Sequence, residues 1–445
     1  MAERRPFPLR LYRVLMTAAT PLAPILFRYR LRRNKEDPNR LRERCGLSKI
    51  ARPRGTLVWI HCASVGELNA VMPLIERLCR RVFVLVTSGT VTSAELAASR
   101  LPKRALHQFV PLDSPIYVRR FFNHWQPDLG LFVESDLWPN LLLTAADRKT
   151  PLILLNGRLS ERSFRRWKSA PATVAALFGA FDLCLAQSPA DAQRLSDLGA
   201  PRFDMTGNLK LDVPAPDADS EECTRLRSAI GSRPVFAAAS THPGEEQILF
   251  AAHRRLREKF PHLMTIVAPR HPQRGGEIEM LAKVAGLRVA CRSRGALPAR
   301  DTDIYLADTL GELGLVYRVA PIVFMGGSLV PHGGQNPIEA AKLDTATVHG
   351  PFVSNFADIY KALDSARGSS LVADGDELIQ CVDAWLTDPV ALQATAEAGR
   401  VAVEKLGGAL ARTMAALEPY LMQLQFAQER RKDRDSAARE APRHA

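Results

Sequence analysis

The sequence predicts an α/β protein with two doubly wound, Rossmann-like domains. From residue 56, apolar runs of strand length alternate with amphipathic stretches of helix length, and the alternation begins again at residue 234. This order is typical of βαβ units on a parallel sheet. The length of 445 residues points the same way, because one hydrophobic core rarely extends over so long a chain.

The predicted strands are apolar runs, and most are followed directly by a helical pattern. In the first half the runs are TLVWIH, VFVLVT, DLGLFVE, PLILLN and FDLCLAQ, with helices predicted at 67–80, 91–100, 137–148 and 189–198. In the second half they are PVFAAAS, LMTIVAP, LRVACR, DIYLAD, PIVFMGG and ATVHG. Parallel sheets bind ligands outside the carboxyl ends of their strands, so we expect a cleft where two such edges face each other.

The stretch DVPAPDAD, residues 212–219, is rich in Pro and Asp and has no hydrophobic period, which predicts a linker. The predicted organisation is therefore an N-terminal segment (1–54), a first domain (55–212), the linker (213–219), a second domain (220–425) and a charged tail (426–445). The tail has few apolar residues, so we expect it to be solvated or disordered.

The formal net charge of +13 is concentrated at the N-terminus. Residues 1–54 hold 15 Lys and Arg against four Asp and Glu, whereas residues 55–428 hold 39 of each class. A nucleic-acid enzyme usually carries its basic surface on the folded body, so we expect no nucleic-acid partner. A basic terminus beside an apolar stretch instead indicates an anionic membrane surface.

The apolar stretch runs from Val14 to Phe27 and is interrupted by Pro21 and Pro24. It is shorter than the roughly 20 residues needed to span hydrocarbon. With its flanking arginines it predicts a shallow interfacial anchor, each basic residue near anionic lipid adding about 1 kcal/mol. The alternative is a helix that packs on the first domain.

Cysteine usage and absent motifs exclude several classes. The seven cysteines are scattered, odd in number and without a CxxC pair, which argues against disulfides or a zinc cluster and fits a reducing cytoplasm. The sequence has no GxGxxG after the first strand, no GxxxxGK[ST], no HExxH and no GxSxG. Dehydrogenases, P-loop NTPases, zinc proteases and serine hydrolases are therefore disfavoured.

Carboxylates follow two predicted strands of the first half. Glu67 lies in the first turn of a helix, and Glu134 and Asp136 follow DLGLFV directly. An acid in a first turn ordinarily stabilises the helix dipole, and Asp136 has the ordinary explanation of a helix cap. The alternative for Glu67 is a general base, which the small residues of ASVG let a substrate approach. Two acids at one sheet edge favour acid–base chemistry or hydroxyl binding.

Cations also lie at predicted strand ends. Lys210 in GNLKLD is either a solubilising lysine or a cation that neutralises a leaving phosphate. Arg270 and His271 follow LMTIVAP, where a surface turn and an anion clamp are both possible. Ser240 to His242 precede a helix N-terminus, and such termini bind anions.

The loop MGGSLVPHGGQNPIEAAKL is rich in glycine and ends in a predicted helix that Asn336 and Glu339 open. Its glycines either make turns or bring backbone N–H groups within reach of a ligand: Gly326, Gly327, Gly333 and Gly334.

Seven stretches, taken in order, resemble the 3-deoxy-D-manno-octulosonic acid (Kdo) transferases of Gram-negative lipid A biosynthesis. They are WIHCASVGE, ESDLWPNLL, LLNGRLSERS, GNLKLD, APRHP, DTLGELG and GGQNPIEAA, and the resemblance covers about residues 10 to 420. It implies the GT-B architecture and transfer of Kdo from CMP-Kdo to the 6′-hydroxyl of a tetraacyldisaccharide 4′-phosphate, lipid IVA. It further implies inversion, no required metal or cofactor, and a place on the cytoplasmic face of the inner membrane.

The resemblance also implies roles for individual residues. Glu67 matches the proton acceptor of the family, and Glu134 and Lys210 match positions that stabilise the transition state. The residues implied to bind CMP are Pro269, Arg270, Gly311, Glu312, Leu313, Asn336, Pro337, Ile338 and Glu339. Further possible donor contacts are Ser240, His242, Gly334 and Gln335.

Two departures and two rival functions accompany this interpretation. Relatives commonly carry His at the position of Gln335, which keeps a donor and an acceptor, so we expect no proton transfer there. ESD in place of the commoner ETE shortens the second acid. The rivals are a GT-B enzyme that uses a UDP-sugar on a membrane acceptor, and a non-catalytic protein that binds a sugar nucleotide. Intact Glu67, Glu134 and Lys210 favour a transferase over the non-catalytic protein.

Overall fold

A computed structural model describes residues 5–440, with side chains described as far as residue 430. The chain divides into two compact units. Met1–Val213 and Gly407–Ala445 form the first unit, and Pro214–Leu406 form the second. Each unit has a parallel sheet between layers of helices, which confirms the predicted α/β class.

The first unit is built on seven strands, and all neighbouring pairs are parallel. The strands are β1 (Leu57–Cys62), β2 (Phe83–Ser88), β3 (Ala105–Phe109), β4 (Leu129–Val133), β5 (Leu152–Gly157), β6 (Leu183–Ala186) and β7 (Phe203–Met205). Their order is β3-β2-β1-β4-β5-β6-β7. The direction of strand addition changes between β1 and β4, which is where doubly wound sheets bind ligands.

Helices cover both faces of this sheet. They are α1 (Phe7–Ala18), α2 (Ala23–Leu31), α3 (Leu41–Arg44), α4 (Val65–Leu78), α5 (Val91–Arg100), α6 (Pro115–Trp125), α7 (Pro139–Asp147), α8 (Glu161–Lys168), α9 (Pro171–Phe178) and α10 (Pro189–Asp197). Alternate residues of a strand point to opposite faces, so Val58 and Ile60 join one core and Leu57 and Trp59 the other. Burial on both faces explains the near-continuous apolar runs of the sequence.

The N-terminal segment is folded against the first unit, in agreement with the packed alternative. Leu9 of α1 and Phe27 of α2 are buried, and the Tyr12 hydroxyl donates to Asp113 Oδ2 at 3.0 Å. Its other side is apolar and unpacked. We call this side the outer N-terminal face, whose residues are each 42–67% exposed: Phe7, Leu11, Val14, Leu15, Leu22, Ile25, Leu26 and Tyr29. No helix within residues 5–440 combines the length and hydrophobicity that crossing a bilayer requires.

The second unit repeats the architecture. Its strands are β8 (Val235–Thr241), β9 (Met264–Pro269), β10 (Val289–Cys291), β11 (Ile304–Leu306), β12 (Ile322–Met325), β13 (Ala346–His349) and β14 (Ser369–Leu371). Its helices are α11 (Ser220–Ile230), α12 (Glu245–Lys259), α13 (Gly275–Val284), α14 (Leu313–Val319), α15 (Ile338–Ala341), α16 (Ala357–Ser365), α17 (Gly375–Thr387) and α18 (Pro389–Leu406). The parallel order β10-β11-β9-β8-β12-β13-β14 changes direction between β8 and β12.

The end of the chain returns to the first unit, so the predicted second domain of 220–425 is too long. The last helix, α19 (Ala409–Glu440), buries Leu410, Leu417 and Leu421 in the core beneath α4. This spacing of seven and four residues puts the three side chains on one helix face. The apolar face of α19 therefore packs on the core of the first unit, and not on the second unit that precedes it in the chain.

The tail, 426–445, was predicted to be solvated or disordered, and the prediction of disorder is wrong as far as Glu440, because α19 continues to that residue. The Gln428 amide oxygen accepts a hydrogen bond from the hydroxyl of Thr56 at 3.0 Å. This bond connects α19 to the residue that precedes β1. Residues 441–445 lie outside the described residues.

Candidate active site

Glu67 lies at the carboxyl end of β1, in the first turn of α4. Its Oε2 accepts the Ala63 N–H at 2.7 Å and its Oε1 accepts the Ser64 hydroxyl at 3.1 Å. Ser64 Oγ also accepts the Glu67 N–H at 3.3 Å. This is a variant of the capping box in which Glu67 accepts the N–H of Ala63, the residue before the N-cap, so the ordinary structural explanation applies. A carboxylate has about four acceptor positions, and the capping box leaves about two of them for a further donor.

The electrostatics of Glu67 differ from those of an exposed cap. Burial is the largest influence and raises the pKa of its carboxyl, against the opposing effect of the Ala63 N–H. The negative charge of Glu134 raises this pKa further. A carboxylate with a raised pKa is a stronger proton acceptor, which is what a general base for a hydroxyl group requires.

Glu134 and Lys210 form an ion pair at the same sheet edge. Lys210 Nζ lies 2.6 Å from Glu134 Oε1, and the side chains are 22% and 19% exposed. Glu134 follows β4 directly and has a left-handed backbone with φ of 60°, which its N–H bond to Leu155 O at 2.9 Å helps to hold. Lys210 is therefore neither a solubilising lysine nor an uncompensated cation. A strained acid held by a salt bridge is typical of a functional site.

Asp136 does not cap a helix, which corrects its ordinary explanation. Its Oδ2 lies 3.1 Å from His61 Nε2 and accepts the Trp138 indole N–H at 3.0 Å, while the helix α7 is preceded by Trp138 itself. His61 is fully buried, and its Nδ1 lies 3.0 Å from the Thr87 hydroxyl. Although burial opposes it, the bond from His61 leaves the pKa of Asp136 below its ordinary value. Asp136 thus fixes the loop that carries Glu134.

Asn156 is a site residue that sequence reasoning missed. It is the next-to-last residue of β5, the neighbour of β4, is buried, and has a left-handed φ of 53°. Its Oδ1 accepts the Leu209 N–H at 2.9 Å, which sets the backbone next to Lys210. Its Nδ2 is buried without a hydrogen-bond partner in the described part of the chain. The one available signal was an Asn at a strand end in LLNGR.

In the second unit, the predicted donor residues lie at the carboxyl ends of neighbouring strands. Pro269 ends β9, and the Arg270 N–H is bound by Thr241 O of β8 at 3.0 Å. The Arg270 side chain is exposed, and no carboxylate among the described residues lies within 4 Å of it. Ser240 is buried with a left-handed φ of 57°. Arg270 therefore presents an accessible guanidinium group at this edge.

Three imidazoles surround this strand end. The His242 ring stacks on His332 with centroids 4.2 Å apart and lies 6.4 Å from His271. Its Nε2 is 3.0 Å from the amide nitrogen of Gln335. Burial, and then the neighbouring His332, His271 and Arg270, lower the pKa of His242 to about 4. His242 is therefore neutral at pH 7 and accepts a hydrogen bond from Gln335.

Of the four glycines in this loop, three have backbone N–H groups that are already bound within the protein, which favours the turn alternative for them: Gly326, Gly327 and Gly334. The Gly327 N–H donates to Glu245 Oε2 at 2.8 Å and the Gly334 N–H to Gly327 O at 2.8 Å. Glu245 is fully buried and also accepts the N–H groups of three further residues, at 2.9–3.1 Å: His242, Ser328 and Leu329. Burial raises the pKa of Glu245, and these four N–H bonds oppose the rise. Glu245 thus holds the loop after β12 to the loop after β8, and Gly327 contributes one of its N–H groups. Sequence reasoning missed this contact.

Gly311, Glu312 and Leu313 lie at the start of α14. Arg292 Nε is 2.6 Å from Glu312 Oε2, and the Thr309 hydroxyl also donates to this carboxylate. The Glu312 side chain is thus occupied, and its backbone carbonyl accepts the N–H groups of Leu315 and Val316 at 3.0 and 3.2 Å. Gly311 and Glu312 also line a surface cavity with Asp217, Ala218, Asp219, Glu222 and Leu315.

Asn336 to Glu339 lead into α15, which begins at Ile338 and has only four residues. The expected helix opening is therefore a single turn. Asn336 Oδ1 accepts the Ile338 N–H at 3.2 Å. Burial raises the pKa of Glu339, against the effect of Lys342 and of a hydrogen bond from Asn336.

Among the described residues, no group of three or more His, Cys, Asp or Glu is placed to hold a metal ion.

Comparisons with known proteins agree with the geometry. A family model described as 3-deoxy-D-manno-octulosonic-acid transferase (kdotransferase) matches residues 39–213. A probable mitochondrial 3-deoxy-D-manno-octulosonic acid transferase of Arabidopsis thaliana is 37% identical over 419 residues, which cover 91% of this chain and 94% of that protein. The 3-deoxy-D-manno-octulosonic acid transferase of Rickettsia bellii is 34% identical over 384 residues, covering 86% and 91%.

A glycosyltransferase structure from Rickettsia africae shares the fold, with a TM-score of 0.57 and 11% identity over 83% of this chain and 99% of that one. This likeness shows a GT-B fold and nothing about the substrate. The two relatives above exceed 30% identity over most of the chain. The chain therefore belongs to the 3-deoxy-D-manno-octulosonic acid transferase family and is a glycosyltransferase.

Proposed function

We propose that this chain transfers Kdo from CMP-Kdo to the 6′-hydroxyl of lipid IVA, with inversion, at the cytoplasmic face of the inner membrane. The observation that carries the proposal is the arrangement of the first sheet edge. There a carboxylate with a raised pKa, Glu67, shares the β1/β4 switch point with the Glu134–Lys210 ion pair.

Glu67 acts as the general base in this proposal. One of its remaining acceptor positions takes the hydrogen of the 6′-hydroxyl as the oxygen attacks the ketosidic carbon of Kdo, and CMP departs from the opposite side. One displacement at one carbon inverts its configuration. Such a base typically contributes about 10²- to 10⁴-fold to the rate.

The ion pair has a separate role. Positive charge develops on the Kdo ring as the bond to phosphate breaks, and the Glu134 carboxylate is the anion held ready for it. Lys210 at 2.6 Å compensates Glu134 in the resting enzyme. Without that compensation Glu67 would experience a stronger negative field and hold its proton to higher pH. Lys210 thus keeps both acids in their working states.

The second unit holds the donor in this proposal. Arg270 meets the phosphate of CMP, because its guanidinium group is exposed and has no carboxylate partner in the described part of the chain. The backbone at Gly311 to Leu313 contacts the nucleoside, and Glu339 accepts hydrogen bonds from hydroxyl groups. The proposed reaction needs no cofactor.

The outer N-terminal face supports the membrane part of the proposal. Its apolar side chains surround a break between α1 and α2, and five exposed cations accompany them: Arg10, Arg28, Arg32, Arg33 and Lys35. Apolar contact with the acyl boundary and basic contact with anionic lipid favour shallow binding. That position brings the enzyme to an acceptor whose acyl chains stay in the bilayer.

A comparison of two donors tests the function. Purified protein is incubated with lipid IVA in mixed micelles and either CMP-Kdo or a UDP-sugar, and the lipid product is identified by mass spectrometry and its anomeric configuration by NMR. We expect one or more Kdo residues to be added from CMP-Kdo, with inverted configuration. Transfer from the UDP-sugar alone, or a retained configuration, would contradict the proposal.

A further inference from the structure

A basic helix stands at the same edge of the first sheet and has no role in the proposed chemistry. Residues 158–168, RLSERSFRRWK, hold five basic residues against one acid, although residues 55–428 as a whole are balanced at 39 of each. We call three of the five the basic helix face: the exposed Arg162 and Arg166 of α8, and the half-buried Arg158 in the loop that leads into it. A neutral body therefore carries a local cationic surface.

The backbone that carries the basic helix face is held in place by hydrogen bonds and by core packing. The Leu159 N–H donates to Asp191 Oδ1 at 2.9 Å, and Leu159 O accepts a bond from Arg194 Nη1 at 2.5 Å. Phe164 and Trp167 of α8 pack against the core cluster on the other side. The backbone on both sides of the arginines is thus anchored, so their guanidinium groups occupy a defined region of the surface.

No described side chain compensates the charges of this face. Glu161, the one acid of the stretch, is bound by Arg165 and by Arg194, each at 2.9 Å. In the described part of the chain, no carboxylate lies within 4 Å of the three guanidinium groups. Arg162 and Arg166 are four residues apart, where like charges repel and disfavour the helix. An anion bound between them would remove that repulsion.

The face lies on the acceptor side of the proposed reaction. Strands β4 and β5 are parallel neighbours, with Val133 opposite Leu155, and the Glu134 N–H is bound by Leu155 O at 2.9 Å. The carboxyl ends of the two strands therefore lie at the same sheet edge, and β5 continues two residues further, to Gly157. Arg158 follows β5 directly, so the stretch that leads into α8 leaves the sheet at the edge that carries Glu134 and Glu67.

We infer that the basic helix face binds a phosphate group of the glycolipid acceptor and so orients its hydroxyl toward Glu67; this inference rests on the proposed function. Guanidinium groups bind phosphate oxygens through paired, charge-assisted hydrogen bonds, which explains arginine in place of lysine at all three positions. Anionic bilayer lipid is the other source of phosphate. We assign the acceptor because the face adjoins the catalytic acids, whereas the outer N-terminal face has its own cations for the bilayer.

The test compares a double variant with a control of equal charge. R162Q/R166Q removes two cations of the face, and R254Q/R255Q removes two exposed arginines of α12 in the second unit. Steady-state kinetics are measured for both, and for wild type, with lipid IVA and with lipid IVA dephosphorylated by phosphatase. Binding to vesicles of phosphatidylglycerol and phosphatidylethanolamine, without acceptor, is measured by sedimentation.

We expect R162Q/R166Q to raise KM for lipid IVA at least about tenfold, with KM for CMP-Kdo unchanged. On the dephosphorylated acceptor it should match wild type, its vesicle binding should be unchanged, and R254Q/R255Q should match wild type throughout. R162K/R166K keeps the charge without paired donors and should fall between. Both arginines are exposed, so we expect an unchanged Tm.

An unchanged KM for lipid IVA would overturn the inference. So would an equal rise on both acceptors, or a loss of vesicle binding, because either result assigns the face to the sugar or the bilayer. A wild-type enzyme that transfers nothing from CMP-Kdo would instead overturn the proposed function, and the inference with it.

Discussion

The two sheet edges use their carboxylates in opposite ways. At the first edge, Glu67 and Glu134 are partly exposed, and each keeps acceptor capacity toward solvent. At the second edge, Glu245 is fully buried, and its two oxygens accept hydrogen bonds from four backbone N–H groups. All three acids stand near the N-terminus of a helix or the end of a strand. The number of hydrogen bonds that an acid already accepts distinguishes a chemical group from a structural one.

The largest effect should come from Glu245→Ala, and it should fall on stability. Removing the carboxylate leaves four N–H groups without this acceptor, three of them buried, so we expect the free energy of unfolding of the second unit to fall by about 3–5 kcal/mol. Denaturant unfolding measures this. Glu258→Ala, at an exposed position of the same helix α12, is the control and should change little. A variant of wild-type stability would remove the contrast between the edges.

At the first edge the effect should fall on rate. Lys210→Met breaks the 2.6 Å ion pair and leaves Glu134 uncompensated beside Glu67, so we expect kcat to fall about a hundredfold with little change in Tm. The control Lys103→Met removes an exposed lysine of the same unit. Equal kcat values for the two variants would show that the ion pair is only structural.

Asn156→Ala should lower kcat about tenfold, because the Leu209 N–H loses its acceptor and the Lys210 backbone is no longer fixed. Asn156→Gly relieves the left-handed backbone while losing the same bond, so it separates strain from positioning. If Gly restores the rate, the bond to Leu209 has no part in positioning Lys210.

The smallest effect concerns pH. Glu67 must be ionised to accept a proton, and its pKa is raised above the ordinary value near 4.5. The rate should therefore fall as pH drops through this raised pKa and be constant above it. Glu134→Gln removes a charge that contributes to the rise, so the acid limb of its residual activity should move to lower pH. An acid limb that stays in place, or moves upward, would show that Glu134 does not act on Glu67.

Sequence reasoning reached the fold and the acids but not their partners. The alternation of apolar runs predicted both parallel sheets, and Glu67, Glu134 and Lys210 were each identified. The sequence predicted that the two acids share one sheet edge, but not that Lys210 pairs with Glu134 or that β1 and β4 are neighbours, because strand order does not follow from periodicity. Glu245 was missed for the same reason, since Gly327 lies 82 residues away in the chain.

Two further differences have local causes. The last helix was assigned to the wrong domain because its apolar face is compatible with either core, and only packing decides. For the glycines of the loop after β12, the sequence leaves turns and ligand contacts both open, because glycine pattern does not tell which acceptor their N–H groups meet. In both cases the local pattern is visible in the sequence, but the residues that it contacts are distant in the chain.

The most direct test of the account is the single-turnover rate of Glu67→Gln beside that of Ser64→Ala. Gln keeps the shape and one acceptor oxygen of the side chain but cannot take a proton, whereas Ser64→Ala removes the cap and keeps the base. We predict that Glu67→Gln binds CMP-Kdo normally and transfers Kdo at least about a hundredfold more slowly. Ser64→Ala should lose less than about tenfold and lower Tm slightly. Near-wild-type transfer by Glu67→Gln would contradict the account, because Glu67 would then be a helix cap only.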